Sequence, residues 1–292
     1  MDNILERRDK FNRGCGIVKT IGNHELLEPQ DDYEHVDSTV EYLIENLPQL
    51  DDGTVEFLEL MRMLKYTYEA HCQCHGDDDC SDSGCCPMGA NYAATSNGEL
   101  VLRDTPEVIF ECSPACGCRP TCQNRLVQFG PRKHLVIGTS STVPNQWGLF
   151  TSRFIPNGGF ICEYAGEILT RGEAEKRNKL NDSIGSKNYV LCLNEQFHAE
   201  KQTRTQIFID PERRGNIGRY LNHSCDPNCR TVAVHIDSPL PRIGIFAQRD
   251  IQPDEELYFD YGGGLVSKPT SKSSACLCGS TLCRGSLPSL SY

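Results

Sequence analysis

Arg219-Tyr220-Leu221-Asn222-His223-Ser224-Cys225-Asp226-Pro227-Asn228-Cys229 is a string for which a surface loop has little use, because it locks an Asn-His pair to Ser-Cys-Asp-Pro-Asn. Further along stands a second block, Asp254-Glu255-Glu256-Leu257-Tyr258-Phe259-Asp260-Tyr261-Gly262. Around these blocks, His134–Gly138, Gly159–Tyr164, Gln206–Asp210 and Arg242–Ala247 are short apolar runs bounded by turn residues, which predicts strands. Arg171–Lys179 is rich in charged helix formers and predicts the one clear helix of this region. Many short strands without alternating long helices predict a mainly β body with peripheral helices.

At 292 residues the chain has room for one large domain or two smaller ones. It has no apolar run near the roughly 18 residues of a membrane span, and Met1-Asp2-Asn3-Ile4-Leu5-Glu6-Arg7-Arg8 is no secretory signal. A soluble, intracellular protein is expected. The net charge of −11 argues against binding DNA through its phosphates. Residues 1–70 hold 16 Asp/Glu and 7 Lys/Arg, and so carry −9 of that charge. Such acidity would attract a basic partner, or it serves solubility alone.

In the acidic part, residues 1–36 have weak periodicity, and poor order is expected over much of them. Ser38-Thr39-Val40-Glu41 matches a capping box, predicting a short helix that Pro48 ends. From Thr54, the residues Val55, Leu58, Met61, Leu64 and Tyr68 fall on one helical face and predict a second helix. The two helices suit a support packed on a neighbouring domain, or else a partner-binding module.

Seventeen cysteines are too many for an ordinary intracellular domain of this size, and in a reducing compartment they read as metal ligands. Nine fall between residues 72 and 122: Cys72, Cys74, Cys80, Cys85, Cys86, Cys112, Cys116, Cys118 and Cys122. They serve three tetrahedral zinc ions only if three thiolates bridge pairs of metals; a two-zinc arrangement with fewer bridges is the rival. Gly, Asp and Ser dominate Gly76–Gly84, so the cluster should staple a segment with little core, and Pro87–Glu111 is expected to be a loop. After a polar linker, Cys276, Cys278 and Cys283 supply three more ligands, and Cys225 is the natural fourth. Cys15, Cys162, Cys192 and Cys229 remain, and Cys162 and Cys192 read as small buried hydrophobes.

The Asn-His-Ser-Cys and Phe-Asp-Tyr blocks together resemble those of the SET-domain protein lysine methyltransferases, in which one segment is threaded under the other in a knot-like crossing that is rare in proteins generally. The nine-cysteine block resembles the pre-SET module with its triangular three-zinc cluster, and the last three cysteines the post-SET segment. The resemblance covers about residues 72–285 and implies four parts: an acidic helical segment (1–70), a pre-SET module (71–132), a SET catalytic domain (133–262) and a linker with the post-SET site (263–292).

The resemblance implies methyl transfer from S-adenosylmethionine to a lysine amine, with four zinc ions as structural metals. The amine must be neutral, although free lysine has a pKa of about 10.4. A narrow apolar channel favours the neutral form by desolvation and aligns the reacting atoms. Tyrosines suit its walls, each giving a flat apolar face with one polar tip. By resemblance Tyr261 stands at the methyl-transfer pore and Tyr164 lines the lysine channel. Phe259 occupies the product-specificity position, where the absence of a hydroxyl implies methylation beyond the mono state. Cofactor contacts carry over onto Gln146, Trp147, Gly148, Tyr189, Arg219, Asn222 and His223. Two residues depart from the family pattern. Gln146 stands where glycine is usual and would be strained if the position needs φ > 0. Tyr220 stands where phenylalanine is common, and its hydroxyl needs a partner.

The nine-cysteine arrangement resembles that of the histone H3 lysine 9 enzymes. A histone H3 tail peptide is therefore the expected substrate, lying as an added strand on a sheet edge. Other chromatin proteins are candidate partners; sequence-specific nucleic acid and membrane are not. Location in the nucleus, at chromatin, follows from that function. Another target lysine, or a SET-like scaffold that binds chromatin proteins without turnover, are the alternatives.

Overall fold

The strand-like runs around the two blocks pair both with their neighbours in sequence and with strands far along the chain. The computed structural model describes residues 17–21, 24–28, 31–67, 71–72, 74, 80, 89–104, 106, 108–196, 204–262 and 274–288. In chain order, β1 (Ile17–Ile21) and β2 (His24–Glu28) form an antiparallel hairpin, followed by β3 (Glu41–Tyr42), β4 (Leu47–Pro48) and helix α1 (Val55–Lys65). β5 (Tyr92–Ala94), β6 (Leu100–Leu102) and β7 (Val108–Phe110) come next, then the hairpin of β8 (Leu135–Thr139) and β9 (Trp147–Thr151). β10 (Phe160–Glu163) and β11 (Gly166–Leu169) lead to helix α2 (Arg171–Ile184). The remaining strands are β12 (Leu191–Gln196), β13 (Arg204–Gly215), β14 (Asn222–His223), β15 (Cys229–His235), β16 (Arg242–Ala247) and β17 (Tyr258–Phe259).

Two larger sheets form the body. One has the order β10-β16-β15-β7, the other β12-β13-β11-β4 with β3 also on β13. Their apolar faces meet in a core that includes Ile161, Ile209, Ile217, Ile243, Ile245 and Leu257, all fully buried. A third, two-stranded sheet sets β14 parallel to β17, pairing Asn222 with Tyr258 and His223 with Phe259. That short ladder joins the two sequence blocks and creates the site.

Helix α2 begins where the sequence places it and runs further, to Ile184. Thr170 caps it by accepting the Glu173 amide at 3.2 Å, and Gly185 ends it in the left-handed region at φ 67°. Arg177 ties it to the sheet, donating to Glu167 at 2.7 Å and Asp210 at 2.8 Å.

The acidic segment differs from its sequence expectation. No helix starts at Ser38. The chain turns over the Asp37 carboxylate, which receives the Thr39 amide at 2.9 Å, and then adds β3 and β4 in parallel to β13 and β11. Residues 41–48 are too few for a stable isolated helix, whereas the neighbouring sheet offers backbone partners, such as Gly215 O for the Leu43 amide at 2.8 Å. Pro48 sits in the outermost strand of its sheet, a position that tolerates a missing N–H.

Helix α1 forms, capped by Thr54, but on another face. Of the expected residues Leu64 packs against the core, together with buried Phe57 and Leu60 and with Met63, whereas Val55 is 73% and Leu58 55% exposed. Apolar residues occupy more than one face of this helix, so periodicity did not single out the buried one; Tyr68 lies outside the described residues. The β1–β2 hairpin stands in a stretch where no element was expected, and residues 1–16 lie outside the described residues. Pro87–Glu111 is not simply a loop. β5 and β6 form a hairpin, and β7 pairs in parallel with β15. Tyr92 is fully buried there, its hydroxyl donating to Glu111 at 2.6 Å.

Candidate active site

The β14–β17 ladder sets Tyr261 against the Asn-His segment. The Tyr261 amide donates to His223 Nδ1 at 3.2 Å, and the Tyr261 hydroxyl donates to the Leu221 carbonyl at 2.9 Å. Nδ1 is thereby an acceptor, which leaves the proton of the neutral ring on Nε2, 3.4 Å from Cys225 Sγ. Burial pulls the His223 pKa down, in keeping with the neutral ring.

Three aromatic rings converge beside this segment. Phe259 is 1% exposed, with its ring 4.9 Å from Tyr261 and edge-on to Tyr164 at 5.8 Å. The Tyr164 hydroxyl donates to the Tyr189 carbonyl at 2.6 Å. Burial raises the pKa of both tyrosines, so each hydroxyl stays protonated and aimed at a backbone oxygen. The Arg219 guanidinium stacks 4.8 Å from the Tyr189 ring and 5.2 Å from that of Tyr220.

Trp147 and Gly148 open β9 beside Asn222, whose side-chain amide donates to the Trp147 carbonyl at 3.0 Å. Trp147 is 49% exposed, and a Cβ on Gly148 would collide with Glu256 Oε1. Gln146 carries no strain of the kind its sequence position raised. The left-handed residue of this turn is Asn145, at φ 57°.

Glu256, in the Asp254–Gly262 block, has a role that its sequence position alone does not announce. Its buried carboxylate accepts five hydrogen bonds: from Ser140 Oγ (2.8 Å), the Ser141 amide (2.7 Å), Ser141 Oγ (2.6 Å), the Tyr258 hydroxyl (2.6 Å) and Asn222 Nδ2 (3.0 Å). Burial alone would raise its pKa, and these donors, Ser141 first, more than offset that and hold it below the usual carboxylate range. The available signal was a charged residue next to the core residue Leu257, in a block otherwise rich in site residues.

The cysteines gather in two places. Cys72, Cys80, Cys112 and Cys118 are buried with their sulfurs within 4.8 Å of one another. Cys74 lies 3.6 Å from Cys80, Cys122 lies 3.4 Å from Cys118, and Cys116 receives the Cys72 amide at 3.4 Å. Cys85 and Cys86 lie outside the described residues. Cys225, Cys276, Cys278 and Cys283 form the second group, again within 4.8 Å. Among the described residues no cysteine is in a disulfide, and clustered soft ligands of this kind fit tetrahedral zinc. Cys162 and Cys229 are fully buried away from both groups, Cys192 packs beside Phe208, and Cys15 lies outside the described residues.

The known proteins that this chain resembles agree with the geometry. The SET domain model matches residues 146–262 and the Pre-SET motif model residues 26–125. The solved methyltransferase domain of human SETMAR superposes with a TM-score of 0.69 at 29% identity, covering 95% of this chain and 98% of that one. KRYPTONITE, solved with methylated DNA, an H3(1–15) peptide and S-adenosylhomocysteine, has a TM-score of 0.65 at 26% identity and covers 91% of this chain and 51% of that one. Fold and site thus define a SET-domain methyltransferase.

Among curated relatives, the probable histone-lysine N-methyltransferase set-23 of Caenorhabditis elegans is 39% identical over 74% of this chain and 86% of its own length. Bovine SETMAR is 41% identical over 62% of this chain and 61% of its length. Chicken SUV39H2 is 35% identical, over 74% and 54%. The chain belongs to the SET-domain histone-lysine N-methyltransferase family.

Proposed function

We propose that this protein methylates lysine 9 of histone H3, adding two or three methyl groups. The observation that carries the reading is the Tyr164–Phe259–Tyr261 cluster, with both hydroxyls pinned on backbone carbonyls beside Asn222 and His223. Such a wall desolvates an entering lysine, favours its neutral amine and holds it in line. Phe259 brings no hydroxyl into that space, which leaves room for an amine that already carries methyl groups.

When bound, S-adenosylmethionine supplies the methyl group. Gln146, Trp147, Gly148, Asn222 and His223 would hold it, with Arg219 and Tyr189 at the side of that site. Three zinc ions in the cluster of nine cysteines and a fourth on Cys225, Cys276, Cys278 and Cys283 would staple the flanking segments. The division at residues 70, 132 and 262 goes with this reading.

Similarity to SUV39H2, the H3 peptide held by KRYPTONITE and the spacing of the nine cysteines support histone H3 as substrate. β12 is an end strand of its sheet among the described residues, the kind of edge to which an extended peptide adds. The acidic residues of the N-terminal part would draw in a basic tail. Action at chromatin in the nucleus follows, without sequence-specific DNA contacts for a chain of charge −11. No membrane partner is implied, and no helix among the described residues is long and apolar enough to cross one.

Mass spectrometry of an H3 tail peptide after incubation with enzyme and cofactor tests this. Two or three methyls should appear at lysine 9, and none when that lysine is arginine or when Tyr261→Phe is used. Methylation of the arginine-substituted peptide would move the target elsewhere.

A further inference from the structure

His35, Tyr42 and Leu43 lie against the Gly215–Tyr220 segment that leads into Asn222 and His223, and His35 contacts it through both ring nitrogens. His35 Nε2 lies 3.0 Å from the Gly215 carbonyl, which only accepts, so Nε2 carries the proton. Nδ1 is then the acceptor and receives the Tyr220 hydroxyl at 3.1 Å. One neutral tautomer satisfies both contacts, and burial lowers the ring's pKa in the same sense.

The surroundings repeat the tie. Gly215 O also receives the Leu43 amide at 2.8 Å, and the Tyr42 hydroxyl receives the Ile217 amide at 3.1 Å while donating to Asp31 at 2.9 Å. The His35 ring packs 4.8 Å from Tyr42 and 5.7 Å from Tyr220. Beyond Tyr220, Arg219 lies over the Tyr189 ring, and the Tyr189 carbonyl receives the Tyr164 hydroxyl. A continuous row of packed groups therefore runs from the N-terminal segment to the aromatic cluster.

We propose that His35 is a positioning residue: by fixing Tyr220 it sets the direction of Arg219 and of the Asn222–His223 strand, making the N-terminal segment part of the catalytic unit. This rests on the reading that Asn222 and His223 hold the cofactor. Tyr220 supplies the hydroxyl through which the positioning acts, and a single hydrogen bond of this kind is worth about 3- to 10-fold in a binding constant.

The test compares wild type, His35→Ala, Tyr220→Phe and the double variant, all in the full zinc-loaded chain. The dissociation constant of S-adenosylmethionine is measured by titration calorimetry, beside the KM for H3 peptide and the melting temperature. Each single variant should weaken cofactor binding about 3- to 10-fold, and the double variant no more than the worse single one, with the peptide KM unchanged. A lowered melting temperature with unchanged cofactor affinity would make His35 a structural staple and overturn the proposal. Tyr220→Phe removes one oxygen and keeps the ring, so it decides the question even if His35→Ala does not fold. Asn222→Ala is the control on the underlying reading. If it leaves cofactor affinity intact, the assigned cofactor site is wrong and the proposal falls with it; if it weakens binding while Tyr220→Phe does not, only the proposal falls.

Discussion

Glu256→Gln is the sharpest probe of how the site is held. The carboxylate serves five donors on three segments, and an amide keeps only one acceptor oxygen. If that oxygen faces Ser141, the new NH2 group meets Asn222 Nδ2; if it faces Asn222, the NH2 meets the Ser141 backbone amide. Hydroxyls can rotate to accept, but the backbone N–H cannot reverse, and turning the Asn222 amide would point its oxygen at the Trp147 carbonyl. One buried donor is therefore stranded in either orientation, at about 1–3 kcal/mol, and the charge-assisted character of the other bonds is lost as well. The total is roughly 2–4 kcal/mol, a large part of the ~5–15 kcal/mol that holds a typical protein folded. At about 2–4 °C per kcal/mol, the melting temperature should fall roughly 5–15 °C. Circular dichroism melts with zinc present measure this, and titration with S-adenosylmethionine should show weakened binding, because Asn222 bridges Glu256 and Trp147. A melt within about 2 °C of wild type, with cofactor binding intact, would refute the role given to this carboxylate.

Burial pushes the Glu163 carboxyl up to about 7, against the opposing effects of Arg242 at 3.4 Å and Asn46 at 2.5 Å. A carboxyl raised in the folded state adds stability that is full below its ordinary pKa of about 4.5 and is lost as pH rises through 7. Glu163→Gln should therefore gain on wild type by up to roughly 3 kcal/mol between pH 5 and 8, seen as a rising difference in melting temperature. Phe259→Tyr puts a hydroxyl into a site that is 1% exposed, and mass spectrometry should show the product shifting to one methyl with catalysis retained. Cys276→Ser should cost the chain one equivalent of bound zinc by metal analysis and abolish methylation, since Cys225 in the same group lies 3.4 Å from His223 Nε2.

Much of this protein is legible along the chain. The Asn-His-Ser-Cys and Phe-Asp-Tyr blocks, the cysteine spacing, the strands around residues 134–247 and the start of α2 depend on local chemistry: turn residues, apolar runs and ligand types at fixed intervals. Even the partner for the Tyr220 hydroxyl could be demanded in advance, although not named. What the tertiary structure decided is of another kind. Residues 41–48 carry a helix signal, yet Glu41–Tyr42 and Leu47–Pro48 become strands because β13 and β11 offer backbone partners where they pass. α1 buries Phe57 and Leu60 instead of Val55 and Leu58 because the surface it packs on, and not its own periodicity, selects one of several apolar faces. Glu256 and His35 draw their roles from donors and acceptors more than a hundred residues away in sequence, in Ser140 and Ser141 for one and Gly215 and Tyr220 for the other. A hydrogen bond needs its partner within about 3 Å, and for contacts so far apart in sequence only the folded chain sets that distance.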